Sequence, residues 1–134
     1  MDEIKLEKLF KVLLCLAWID HDLNELEISL LKSLSKDLNV NFLDSLEVKY
    51  DVRKREIFSE VHSFNFDDFS EEQKDLLIFL MHKLAHIDNK FTSNERDFIN
   101  FIKDKLNYND SNYELVLNRI QTSLILYGNV IEIK

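Results

Sequence analysis

The near absence of glycine and proline limits what this chain can fold into more than any other feature of its sequence. Gly128 is the single glycine among 134 residues, and the chain has no proline. Tight β-hairpins, phosphate-binding loops and dinucleotide fingerprints need glycine where the backbone takes unusual conformations. The sequence therefore predicts an all-α fold, a compact helical bundle of about six to seven helices.

Composition and charge narrow the class of protein further. Hydrophobic residues make up 46% of the chain and charged residues 31%, which favours a packed core over disorder. The length fits one domain over residues 1–134. The formal net charge of −8 disfavours a nucleic-acid partner, since nucleic acid is itself an anion.

Two features bear on where the protein works. The longest apolar run covers residues 12–19, whereas a membrane-spanning helix needs about 20 apolar residues. The acidic start of the chain lacks the basic region of a signal peptide, and a lone cysteine, Cys15, suits a reducing compartment. We expect a cytoplasmic protein with no membrane insertion.

Apolar residues at three- and four-residue steps predict helices over residues 2–19 and 24–39. Two capping boxes, Ser70 with Gln73 and Thr92 with Glu95, predict the starts of helices that run to about residues 87 and 106. Residues 41–69 are less regular, with short helices expected near Leu43 and over 53–63. A last helix is expected over 111–127.

The two pairs of helices are related by an internal repeat. A shift of 68 residues aligns residues 9–41 with 77–109, and apolar character is kept at most core positions. The repeat halves span about 1–41 and 70–109. The identical pairs are Leu9/Leu77, Leu16/Leu84, Ala17/Ala85, Ile19/Ile87, Asp20/Asp88, Glu27/Glu95, Leu38/Leu106, Asn39/Asn107 and Asn41/Asn109.

The loop of each hairpin carries a shared motif. Both copies keep Leu-Ala-x-Ile-Asp, an apolar residue three positions after the Asp, and a Glu seven positions after it. This pattern, over essentially the whole chain, resembles the tellurite-resistance TerB-like domain family. The family motif has a glycine after the Asp, where this chain has His21 and Asn89. The resemblance implies an all-α bundle with pseudo-twofold halves and no known catalytic activity. It also implies an acidic surface patch that binds divalent cations in bacterial stress responses.

The repeated acids are the candidate functional residues. Asp20 and Asp88 are expected where the first helix of each hairpin ends, and an anion there faces the negative end of the helix dipole. A bound Ca²⁺ or Mg²⁺ would offset that cost, because both ions prefer oxygen ligands. The predicted metal ligands are Asp20, Asp22, Glu27, Asp88 and Glu95.

The alternative is that these acids are purely structural, with each Asp forming an Asx turn and each Glu closing a capping box. Function would then lie in protein–protein contact, through a dimer face or an apolar groove edged by Trp18, Phe64, Phe66 and Phe69. In either case we expect an unidentified protein partner. The oligomeric state stays open.

Histidine and cysteine are two further residue types that can carry chemistry. His82 and His86 lie four apart on one predicted helix, a spacing that can chelate a transition metal but is also common in ordinary packing. Cys15 falls among apolar residues and is expected to be a buried, inert thiol. No catalytic constellation can be assembled, so we expect no enzymatic activity.

Overall fold

The structure, a computed structural model, describes residues 3–19, 25–37, 55–87, 91–108, 112–115 and 117–118. Within these ranges every regular element is helical and no strand occurs, which confirms the predicted all-α class. The helices are α1 (Glu3–Trp18), α2 (Glu25–Asp37), α3 (residues 55–62), α4 (Glu71–His86) and α5 (Ser93–Lys105). Residues 112–115 and 117–118 are also helical.

The chain divides into two compact units, Met1–Phe64 (unit 1) and Asn65–Lys134 (unit 2). The prediction of a single domain over the whole chain stays a prediction. None of the described helices has the length and apolarity needed to cross a membrane.

Helix α1 is the core of unit 1. Every residue from 12 to 18 is buried. The C-terminal half of α1 is therefore buried around its whole circumference, whereas an amphipathic helix is buried on one face only. Trp18 lies 6.5 Å from the Phe58 ring of α3, centroid to centroid. Lys11 of α1 donates a hydrogen bond from its ammonium group to the Glu60 carboxylate of α3. Helix α3 therefore packs along α1 through both an aromatic and a charged contact.

Helices α4 and α5 of unit 2 pack against each other. The face predicted for α5 is confirmed, since Phe98, Ile99 and Ile102 are all buried. After Leu106, Asn107 has a φ of 52°, and the Tyr108 amide donates to the Lys103 carbonyl at 3.2 Å. This is a Schellman ending, in which asparagine tolerates the left-handed conformation better than most residues.

The helix bounds follow the 68-residue spacing found in the sequence. Helices α1 and α4 each have 16 residues, and α2 and α5 each have 13. Moving Glu3–Trp18 and Glu25–Asp37 forward by 68 positions gives Glu71–His86 and Ser93–Lys105. The equivalence of the two hairpins in tertiary structure stays a prediction.

Candidate functional site

The start of α5 shows how one of the predicted metal ligands is held. Thr92 is the N-cap, and its hydroxyl oxygen accepts a hydrogen bond from the Glu95 amide at 3.1 Å. The Glu95 carboxylate accepts in return from the Thr92 amide at 3.0 Å. Both halves of the predicted capping box are present, which satisfies two amides that the helix leaves without partners. Glu95 therefore closes a capping box, which is the role that the structural alternative predicted for it.

Glu27 occupies the matching position in unit 1. It is the third residue of α2, as Glu95 is the third of α5, and only 2% of Glu27 and 4% of Glu95 is exposed. Carboxylates are seldom so deeply buried unless they are paired or hydrogen-bonded. Asn24, three residues before Glu27, lies outside the described residues.

The aspartates of the predicted cation site, Asp20, Asp22 and Asp88, lie outside the described residues as well. The structure thus places Glu27 and Glu95 and leaves the remaining predicted ligands untested. Among the residues that it describes, no three His, Cys, Asp or Glu side chains are grouped so that they could hold a metal ion.

His82 and His86 of α4 form a buried stack. Their rings are nearly parallel, with an interplanar angle of 10° and centroids 5.8 Å apart, and the Phe91 ring lies 4.3 Å from that of His86. His82 Nε2 is hydrogen-bonded to the Tyr113 hydroxyl at 2.7 Å. Burial, with smaller effects from His86 and Lys103, lowers the pKa of His82 to about 3. The His82 ring is therefore neutral at physiological pH.

A small cavity of about 150 Å³ opens beside this histidine in unit 2. Its apolar lining comes from Phe91, Ile99 and Leu117. Its polar lining comes from His82, Arg96, Asn100 and Tyr113. Burial raises the pKa of Tyr113, an effect that Arg96 partly opposes, so the phenol stays protonated.

Sequence reasoning missed this cavity. His82 and Tyr113 are 31 residues apart, and no spacing rule joins residues on different helices at that separation. Residue type was the one partial indication in the sequence, since Tyr and Arg are common in binding pockets.

Two other predictions can be compared with the structure directly. Cys15 is fully buried, as predicted, and burial together with Glu60 raises the pKa of its thiol to about 12, so it is not a nucleophile in the folded protein. The predicted aromatic groove is wrong in its lining. Trp18, Phe66 and Phe69 are only 1%, 2% and 5% exposed, because large rings gain most by full burial in a core.

Neither protein-family models nor curated proteins nor solved structures gave a match to this chain. The TerB-like resemblance therefore stays a hypothesis based on the repeated loop motif.

Proposed function

We propose that this chain is a non-enzymatic binding module whose two interhelical loops bind a divalent cation, Ca²⁺ or Mg²⁺. In this proposal Glu27 and Glu95 fix the starts of α2 and α5. The loop aspartates Asp20, Asp22 and Asp88 supply the remaining oxygen ligands. The resemblance to TerB-like domains supports a role for such a module in tellurite resistance or another stress response, together with a protein partner.

The observation that carries the proposal is the pair of buried carboxylates at matching positions, Glu27 and Glu95. Removing a carboxylate from water is costly, and buried carboxylates are therefore paired, hydrogen-bonded or bound to a metal ion. The segment before Glu27 carries Asp20 and Asp22, and the segment before Glu95 carries Asp88. A cation beside such a group of anions would reduce both the desolvation cost and the mutual repulsion.

Capping and cation binding by the same glutamate are compatible. An ionised carboxylate offers about four lone-pair positions, so a carboxylate that accepts from the Thr92 amide can also bind a cation. The cap would hold the carboxylate in a fixed orientation, which favours metal binding because less motion is lost on coordination.

The test is a thermal melt of protein stripped with a chelator, repeated with Ca²⁺, Mg²⁺, Mn²⁺ or Zn²⁺ at constant ionic strength. Binding to the native state must raise the melting temperature by linkage. We expect Ca²⁺ or Mg²⁺ to raise the melting temperature of the wild type but not that of Asp20→Asn/Asp88→Asn. Asparagine keeps an oxygen that can accept an Asx-turn hydrogen bond, so the double variant should still fold.

The matched control is Asp97→Asn/Asp104→Asn, which removes the same charge from two exposed positions of α5. It should respond to the cation as the wild type does. An equal response in all three proteins would indicate general screening of charge, and no response in any of them would exclude a cation site of millimolar affinity.

A second candidate function is a protein–protein interaction module in which the loop acids serve only as caps. The reciprocal hydrogen bonds of Thr92 and Glu95 favour it, because they account for this acid without a metal. Under this alternative, Asp20→Asn/Asp88→Asn melts near the wild-type temperature and no cation shifts either protein.

A further inference from the structure

The cavity of unit 2 differs in charge from the chain around it. The protein carries a net charge of −8, yet the described residues that line this cavity include no Asp or Glu. Arg96 is the lining residue that keeps a positive charge at every physiological pH. His82 and Tyr113 are neutral there because burial lowers the pKa of the imidazole and raises that of the phenol. The described part of the lining is thus cationic, although the protein as a whole is acidic.

The guanidinium group of Arg96 lies over one wall of the cavity. Its Cζ atom is 5.6 Å from the centre of the Phe91 ring, within the range of a cation–π contact. Asn100 follows one helical turn later on α5, so its amide and the guanidinium lie on the same side of the helix. Together they offer hydrogen-bond donors to an anionic oxygen.

His82 is a neutral polar residue of the lining. Its side chain is 2% exposed, and no group in the described residues forms a hydrogen bond with its Nδ1 atom. A buried polar atom in this state costs about 1–3 kcal/mol, and native proteins contain few of them. The Nδ1 atom has almost no accessible surface, so the ring lines the cavity through its other atoms.

The apolar lining residues and the volume of the cavity limit which ligands can bind. Phe91, Ile99 and Leu117 make one part of the lining apolar. A cavity of about 150 Å³ is large enough for a single benzene ring. Drug-sized ligands need about 300 Å³ or more, so nucleotides and other large cofactors do not fit.

We propose that this cavity binds a small organic carboxylate with one ring or a short aliphatic chain. The carboxylate contacts Arg96 and Asn100, and the apolar body packs on Phe91, Ile99 and Leu117. This site is separate from the acidic loops, and it takes an anion where they would take a cation.

The first experiment titrates the full chain with benzoate and follows backbone amide shifts by NMR at constant ionic strength. Benzyl alcohol is the neutral isostere of similar size, and naphthalene-2-carboxylate keeps the charge but exceeds the cavity. At about 10 mM, ten times a millimolar Kd, benzoate should shift the amides of Phe91, Arg96 and Asn100. Benzyl alcohol should bind about tenfold or more weakly, since a hydrogen bond to a charged group is worth at least that factor. Naphthalene-2-carboxylate should also bind more weakly, because its second ring exceeds the volume of the cavity.

The second experiment repeats the benzoate titration with Arg96→Gln. Arg55→Gln is the matched control, because it removes the same charge from an exposed arginine of α3. We expect Arg96→Gln to weaken benzoate binding about tenfold and Arg55→Gln to leave it unchanged. The amide spectrum of each variant shows independently whether it is folded.

Three results would overturn the proposal. One is the absence of any shift around the cavity with benzoate at the highest concentration. Another is benzyl alcohol binding as tightly as benzoate, which would make the site apolar rather than selective for carboxylates. The third is an equal loss of affinity in Arg96→Gln and Arg55→Gln, which would reflect the overall charge of the chain instead of a contact in the cavity.

Discussion

At the scale of single residues, burial decides the chemistry of the groups that the sequence singled out. Cys15 and His82 are both reactive residue types, and burial moves the pKa of each away from the physiological range, upward for the thiol and downward for the imidazole. Each therefore exists in its neutral form. The burial of Cys15 was predictable from its apolar neighbours in sequence, whereas that of His82 depends on Phe91 and Tyr113, which come from elsewhere in unit 2.

The neutral His82 has a consequence for stability against pH. In the unfolded chain its pKa is near the ordinary 6.5, and in the folded protein it is about 3. Between these two values the unfolded state binds a proton that the native state does not, so the free energy of unfolding falls as the pH falls. Between about pH 6.5 and pH 5, this histidine should contribute a loss of about 1 kcal/mol per pH unit.

The measurement is urea unfolding at several pH values in that window for the wild type and for His82→Gln. Glutamine can keep a hydrogen bond to the Tyr113 hydroxyl but does not titrate. The slope of stability against pH should be smaller in His82→Gln, whatever its absolute stability. Equal slopes in the wild type and in His82→Gln would mean that His82 is not held neutral by burial.

At the scale of elements, helix starts were the most predictable features. Ser70 with Gln73 and Thr92 with Glu95 each formed the capping box that their spacing indicated, because a cap depends on residues three positions apart and little else. The end of α5 is equally local, since Asn107 adopts the left-handed conformation. The residues that pack over a helix are distant in sequence, so they cannot be read from local spacing. For this reason Trp18 was expected at the edge of a groove, whereas it is buried.

The cap of α5 predicts a measurable loss of stability. Thr92→Ala removes the oxygen that accepts from the Glu95 amide and leaves a buried glutamate with a weakened anchor. We expect the free energy of unfolding to fall by about 1 kcal/mol, the usual value for loss of an N-cap side chain. Urea unfolding measures it directly. Ser93→Ala changes an exposed neighbour on the same turn and should alter stability by less than about 0.5 kcal/mol. A Thr92→Ala protein as stable as Ser93→Ala would contradict the role of the cap.

At the scale of the whole molecule, charge is the property that the sequence determined without any structure. The net charge of −8 makes the acidic chain repel itself, and this repulsion opposes folding because the folded state brings the charges closer together. Local arrangement was not predictable in this way. The composition gave no sign of a cavity with Arg96 as its charged group, since that depends on which helix faces meet within unit 2.

Self-repulsion predicts how stability depends on salt. Raising sodium chloride from about 10 mM to about 150 mM shortens the Debye length from about 30 Å to about 8 Å, so the melting temperature at pH 7 should rise. Near pH 5.0, the isoelectric point, the same change of salt should have a much smaller effect, because the net charge vanishes there. A salt effect of equal size at both pH values would mean that self-repulsion does not limit the stability of this chain. The size of the effect at pH 7 also sets the background against which a rise in melting temperature with Ca²⁺ or Mg²⁺ has to be judged. A cation held in the acidic loops must stabilise the wild type beyond what sodium does at the same ionic strength.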